Sequence, residues 1–127
     1  MANPNIVNVS AIYGNTSSYL ISSTANPFAT ALISNPASSG KIFKINSIVV
    51  ANVDGTSAAD ITITLFSAAA LGGSGTALLS TASVPADASL VVMDKTTGIY
   101  LLEDKSIGAT ASTANDLVVT CSWEEIN

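Results

Sequence analysis

At 127 residues, of which 48% are hydrophobic, the chain is long enough for one domain with its own core and too short for two. Its net charge of -5 sets nine acidic residues against four lysines, with no arginine and no histidine; the clustered cations that nucleic acid and anionic membrane surfaces require are absent. No stretch approaches the roughly 20 consecutive apolar residues of a membrane-crossing helix, the start MANPNIVNVS lacks the pattern of a secretory signal, and a single cysteine permits no internal disulfide.

Roughly a quarter of the residues are Ser or Thr, and Ala, Val and Ile supply much of the remainder, a mixture that favours strands over helices. In chain order, the first expected strand is 6–13, within NIVNVSAIY. It is uncharged and apolar on both faces, with Ile6 and Ile12 on one and Val7, Val9 and Tyr13 on the other. Such a segment is either buried on both sides or pairs with a partner. The next, 18–24 in SSYLISS, has the same character. Strands at 28–34 and 41–53 follow, set off by Asn26-Pro27 and Asn35-Pro36.

Asp54-Gly55 opens the loop DGTSAAD before a strand at 60–67, where Ile61, Ile63 and Leu65 alternate with Thr62 and Thr64. SAAAL reads as at most one helical turn and LGGSG, 71–75, as a flexible loop. Further strands are expected at 77–84, 89–94, 98–103 and 105–112. The TAND turn at 113–116 then leads into the last strand, 117–125. Short alternating segments of this kind, without helical periods between them, predict an all-β domain: an antiparallel β-sandwich or jelly roll spanning 1–127, with 1–13 as an extended N-terminal arm or edge strand.

The end of the chain, LVVTCSWEEIN, gathers the cysteine, the tryptophan and two adjacent glutamates. On a strand, Leu117, Val119, Cys121 and Trp123 share one face, so Cys121 is a small core hydrophobe and Trp123 the largest piece of the core. Glu124 and Glu125 point to opposite faces and cannot act as a pair. Without histidine, Cys121 and the serines lack the usual base of nucleophilic catalysis. No Ser-x-x-Lys is present, metals lack their ordinary nitrogen and sulfur ligands, and no calcium loop is formed by Asp54 and Asp60 or by Glu103 and Asp104. The expectation is a protein with no catalytic, cofactor or metal site. GGSG has no phosphate-loop lysine.

From Lys41 onward three runs occur in order: KINSIVVANVDGTSAADITITLF, SVPADASLVVMDKTTGIYLLEDKSI and GATASTANDLVVTCSWEEI. Their Asn-x-Asp-Gly turn, Val-Pro-Ala segment, Leu-Glu-x-x-x-Ile strand and Ala-Asn-Asp-Leu hairpin resemble small virion structural proteins of tailed bacteriophages, especially those of cyanobacteria and other marine bacteria. The resemblance covers about 41–127. It departs at Asp104-Lys105, where a Gly-Asp pair is common, so that turn is expected to differ.

The resemblance implies a β-sandwich surface component of a virus particle, with no catalytic residues. The first expectation is a capsid decoration or cement protein, a homotrimer that binds the major capsid protein. The second is a neck, collar or tail subunit of the same virion. An extracellular adhesin or carbohydrate-binding module is a third reading, in which Trp123, Tyr13, Tyr19, Tyr100, Phe28, Phe43 and Phe66 are the available aromatics. The segment outside the resemblance supplies the candidate assembly contact: Ile6, Val7, Val9, Ile12, Tyr13 and Tyr19.

Overall fold

The structure, a computed structural model, describes residues 7–22, 24 and 31–127. Among them β-branched and small side chains build nine strands and no helix: β1 (Ile12–Leu20), β2 (Ala31–Asn35), β3 (Ile42–Asn52), β4 (Ala59–Ala68), β5 (Gly72–Val84), β6 (Ser89–Met93), β7 (Tyr100–Leu101), β8 (Lys105–Ala111) and β9 (Leu117–Ile126). They form two antiparallel sheets. One has the order β1-β9-β3-β6 with β7 also on β3, and the other the order β2-β8-β4-β5.

This connectivity decides between a plain sandwich and a jelly roll. The chain doubles back as one long nested hairpin, pairing β1 with β9, β2 with β8, β3 with β6 and β7, and β4 with β5. Rolling that hairpin brings β9 onto β3 and β8 onto β4, which is the jelly-roll arrangement of two sheets. Between them lie Ile45, Ile48, Val50, Ile61, Ile63, Ile107, Leu117, Val119 and Cys121, all fully buried.

The alternation in β3 changes phase along the strand. Phe43 and Ile45 face the core before an irregularity between Ile45 and Ser47; Ile48 and Val50 face it afterwards. The extra residue, Asn46, is a β-bulge, and it keeps both halves of a twisted strand facing inward. Beside it Ile45 donates its amide to the Ile99 carbonyl at 2.8 Å. Gly98 makes the approach feasible, since a Cβ there would sit 2.3 Å from the Ile45 carbonyl oxygen.

Two buried asparagines clip the sheets together near the two ends of β3. Asn35, on β2, donates to the carbonyls of Lys41 (2.9 Å) and Leu101 (3.2 Å) and accepts from the Ser39 hydroxyl. Asn52, closing β3, donates to the Ser57 and Val84 carbonyls at 3.0 and 2.9 Å and accepts from the Asp54 amide. The Asn-x-Asp-Gly motif is therefore a buried clip leading into a surface turn, and the Asp54 carboxylate accepts from the amides of Thr56 and Ser57.

Several expectations change, the strand expected at 98–103 shrinking to β7 among them. The strands expected at 6–13 and 18–24 are one strand, β1, running through Gly14 to Ser17, while residues 1–6, 23 and 25–30 lie outside the described residues. LGGSG is the turn into and start of β5 rather than a loop. SAAAL makes no helical turn because side chains capture its amides: Asp104 accepts from Ala69, Ser34 from Ala70 and Ser106 from Leu71, with Ala70 and Leu71 at positive φ.

Trp123 keeps the expected face but not the expected depth. It stacks on Phe43 with ring centroids 6.4 Å apart and packs against the core while staying partly exposed. Trp123→Ala is accordingly expected to cost about 2 kcal/mol in denaturant unfolding, below the roughly 3–5 kcal/mol of a fully buried aromatic. Asn52→Ala, which strips a donor from the buried Val84 carbonyl, should cost about 1–3 kcal/mol on the scale of an orphaned buried acceptor. Retained stability would mean that the sheets need no polar clip there.

Candidate assembly surface

Among the described residues, β1 is an edge strand held on one side only. Its nine residues run opposite β9 in unbroken register, from Ile12 against Ile126 to Leu20 against Val118. Just before it, Ala11 and Asn127 exchange both backbone hydrogen bonds, at 3.1 and 3.0 Å. In an antiparallel ladder such exchanging pairs alternate with non-bonded ones. Tyr13, Asn15, Ser17 and Tyr19 thus bond to β9, while the N–H and C=O groups of Ile12, Gly14, Thr16, Ser18 and Leu20 point away from it. No described strand pairs with that side of β1.

The other three sheet edges are blunted. β6 and β2 have five residues each, β6 running into Asp94-Lys95 and β2 into Pro36. β5 is longer but breaks register against β4 at three points. Short length, charge, proline and bulges are the ordinary guards of an exposed edge. β1 has none of them, since IYGNTSSYL contains neither a charged residue nor a proline.

Of the six candidate contact residues, Ile6 lies outside the described residues, and Val7, 92% exposed, and the half-buried Val9 precede the strand. Ile12 and Tyr13 open β1 at 56% and 60% exposure. Tyr19 turns inward and packs against the core. The five described residues are thus divided between the segment before β1, its exposed start and its inward face. Thr16 and Leu20, outside the six candidates, share with Ile12 the exposed outer face of the strand, and their even spacing from Ile12 is the signal of it in the sequence.

Registers carry this outer face across the sheet in rows. Ser18, Thr120, Val49 and Val91 form one row; Leu20, Val118, Ala51 and Ser89 form another; Thr16, Ser122 and Ser47 begin a third. Hydroxyls tie the first two strands, Ser18 to Thr120 at 2.7 Å and Thr16 to Ser122 at 3.4 Å. These three rows contain no charged side chain. Glu124 stands beyond them, accepting from Asn46 at 3.3 Å. Its neighbour Glu125, on the opposite side of the strand, accepts from Asn15 and pairs with Lys41 at 3.0 Å.

At the open end of the sandwich Trp123, Phe43, Pro36, Ser39, Lys41 and Glu125 line an open cleft of about 440 Å³. It makes a poor aromatic platform. Phe43 is buried, and the indole N–H of Trp123 is buried without a hydrogen-bond partner, so neither the ring face of one nor the donor of the other is offered outward. Cys121 sits in the core opposite Ile48 and Ser17. Burial pushes its thiol up to about 12, which keeps it protonated and un-nucleophilic. No protein family model, no curated protein and no solved structure matches the chain.

The thiol sets a pH dependence. Its folded value lies above the ordinary 9.0, so both states hold the proton below pH 9 and only the unfolded chain loses it above. Stability attributable to Cys121 should therefore fall as pH rises from about 9 to about 12, by at most about 1.4 kcal/mol per pH unit. Denaturant unfolding of the native chain and of Cys121→Ala across that range isolates the slope; parallel curves would place the thiol in a solvated site.

Proposed function

We propose that the protein is a structural component of a bacteriophage virion, a decoration protein that binds and stabilises the shell of the major capsid protein. The observation that carries this reading is the outer face of the β1-β9-β3-β6 sheet, with its uncharged rows of Ser, Thr, Val and Ala. Short side chains lose little rotamer freedom when ordered, so a sheet face of them can pack on a repeating surface at low entropic cost. Many copies that bind only the assembled shell then stabilise it by mass action.

Two further points agree. The jelly-roll order is used in viral capsid domains, although it is shared with lectins and cupins, so it supports by analogy alone. The resemblance of 41–127 to small phage virion proteins points the same way and implies a homotrimer. A neck, collar or tail subunit of the same particle remains the second reading, favoured by the same face. Its copy number would be that of a closed ring, far below stoichiometry with the capsid protein.

Purified protein mixed with decoration-free capsids should co-sediment with them. Val91→Asp, at an outward position 59% exposed, should weaken binding at least tenfold while leaving the unfolding midpoint nearly unchanged, as surface substitutions do; Thr120→Lys, in the middle of the same row, should weaken binding as much while also losing the hydroxyl bond to Ser18. Undiminished binding by both variants would remove this face from the contact. Absence of the protein from purified virions would end the virion reading.

A further inference from the structure

We infer that β1 is a two-fold self-pairing strand, through which a second copy of this chain extends the β1-β9-β3-β6 sheet across a dimer axis at Thr16. The inference goes beyond shell binding and does not depend on it. It starts from the edge described above: nine uncharged residues in unbroken register, with the backbone groups of Ile12, Gly14, Thr16, Ser18 and Leu20 pointing outward.

The sequence of the strand is nearly palindromic. Laid antiparallel to itself about Thr16, it sets Ile12 against Leu20 of the second copy, Tyr13 against Tyr19, Gly14 against Ser18, and Asn15 against Ser17. Like therefore meets like: aliphatic with aliphatic, aromatic with aromatic, small with small. A two-fold contact requires this self-complementarity, because each residue meets its symmetry mate's partner twice. Ile12 and Leu20, each more than half exposed in the single chain, would cover one another at both ends of the pairing.

Parity gives an independent check. In the two-fold register even-numbered residues face even-numbered residues, and those are the residues whose amides and carbonyls point away from β9. Each such pair can exchange two hydrogen bonds. A register shifted by one residue would oppose outward groups to groups already bonded to β9, and would also break the palindrome. The axis at Thr16 satisfies both conditions at once.

Charge identifies the occupant as a second copy. Copies of a chain with net charge -5 repel one another through most faces, but β1 carries no charge. Glu124 stands on β9, and in the joined sheet the two β9 strands are three strand spacings apart, about 14 Å, beyond the screening length of about 10 Å at 0.1 M salt; Glu125 reaches across to the Asn15 side chain on β1. Glu125 is offset by Lys41.

The resemblance implies three copies, whereas this strand implies two, and the mass in solution separates them. Sedimentation equilibrium of the full chain should give twice 12.8 kDa. Thr16→Pro removes an amide that points away from β9, a position where an edge strand tolerates proline, and should raise the dissociation constant at least tenfold while circular dichroism stays native. Thr16→Cys should form an oxidised dimer, because facing Cα atoms in a hydrogen-bonded antiparallel pair lie about 5.5 Å apart, within disulfide reach. Ser18→Cys, facing Gly14 of the second copy, should not. A monomer at all concentrations, a trimer, or a dimer indifferent to Thr16→Pro and uncrosslinked through Thr16→Cys would overturn the proposal. Capsid co-sedimentation of Thr16→Pro reads shell binding separately, so the two can fail independently.

Discussion

β9 is the strand on which the rest of this molecule depends. It is the ninth of the described strands in chain order, yet it lies inside its sheet, with β1 on one side and β3 on the other. Its backbone groups are therefore satisfied in both directions, while Leu117, Val119 and Cys121 fill the core from one face. A strand in that position is costly to disturb, because its loss would unpair two ladders and open the core together. β3 would keep β6 and β7. β1 would keep nothing, since its only described ladder is the one with β9.

The nested hairpin ranks the pairs by how much chain each must close. β4 and β5 meet across the short turn at 69–71, whereas β1 and β9 are separated by nearly the whole chain. Loop closure grows only slowly with length, but each outer pair also presupposes the inner ones that bring its strands near. β1 buries little: its inward residues Asn15, Ser17 and Tyr19 are half-buried and its outward ones exposed. Large separation and little burial place it at the low-stability end of the fold. A strand so placed gains more from an additional partner than an interior strand would.

The sequence made the interior strands legible because burial writes a period of two. Ile61 and Ile63 in β4 and Ile107, Ala109 and Ala111 in β8 are buried on the face expected for them, and β9 has its expected face; the alternation weakens where Thr64, Phe66, Ser106 and Gly108 are buried too and Leu65 stays partly exposed. The edges were illegible for the same reason. The middle of β1, Gly14 to Ser17, and the start of β5, Gly72 to Gly75, have turn-like composition, but their ladders need only backbone groups, which every residue but proline supplies. Pairing without burial leaves no hydrophobic signature. The strand boundary drawn through β1 hid its palindrome, and with it the contribution of Thr16 and Leu20 to the surface. The depth of Trp123 has no such signature, because alternation reports the face of a residue and not its distance from the end of the sheet.

Among the described residues the strongly raised group is a thiol sealed in the core, and the open cleft is lined by a lysine and a glutamate already paired. A protein that works by contact needs rigid faces with few long side chains to immobilise. The β1-β9-β3-β6 sheet supplies such a face in its hydroxyl and aliphatic rows, and the same sheet ends in an edge without a guard. Face and edge lie at right angles to one another, so a copy joined along β1 would leave the rows uncovered and double their width. Pairing through the edge and docking through the face are thus compatible uses of one sheet, and the first would strengthen the second by presenting two faces at once.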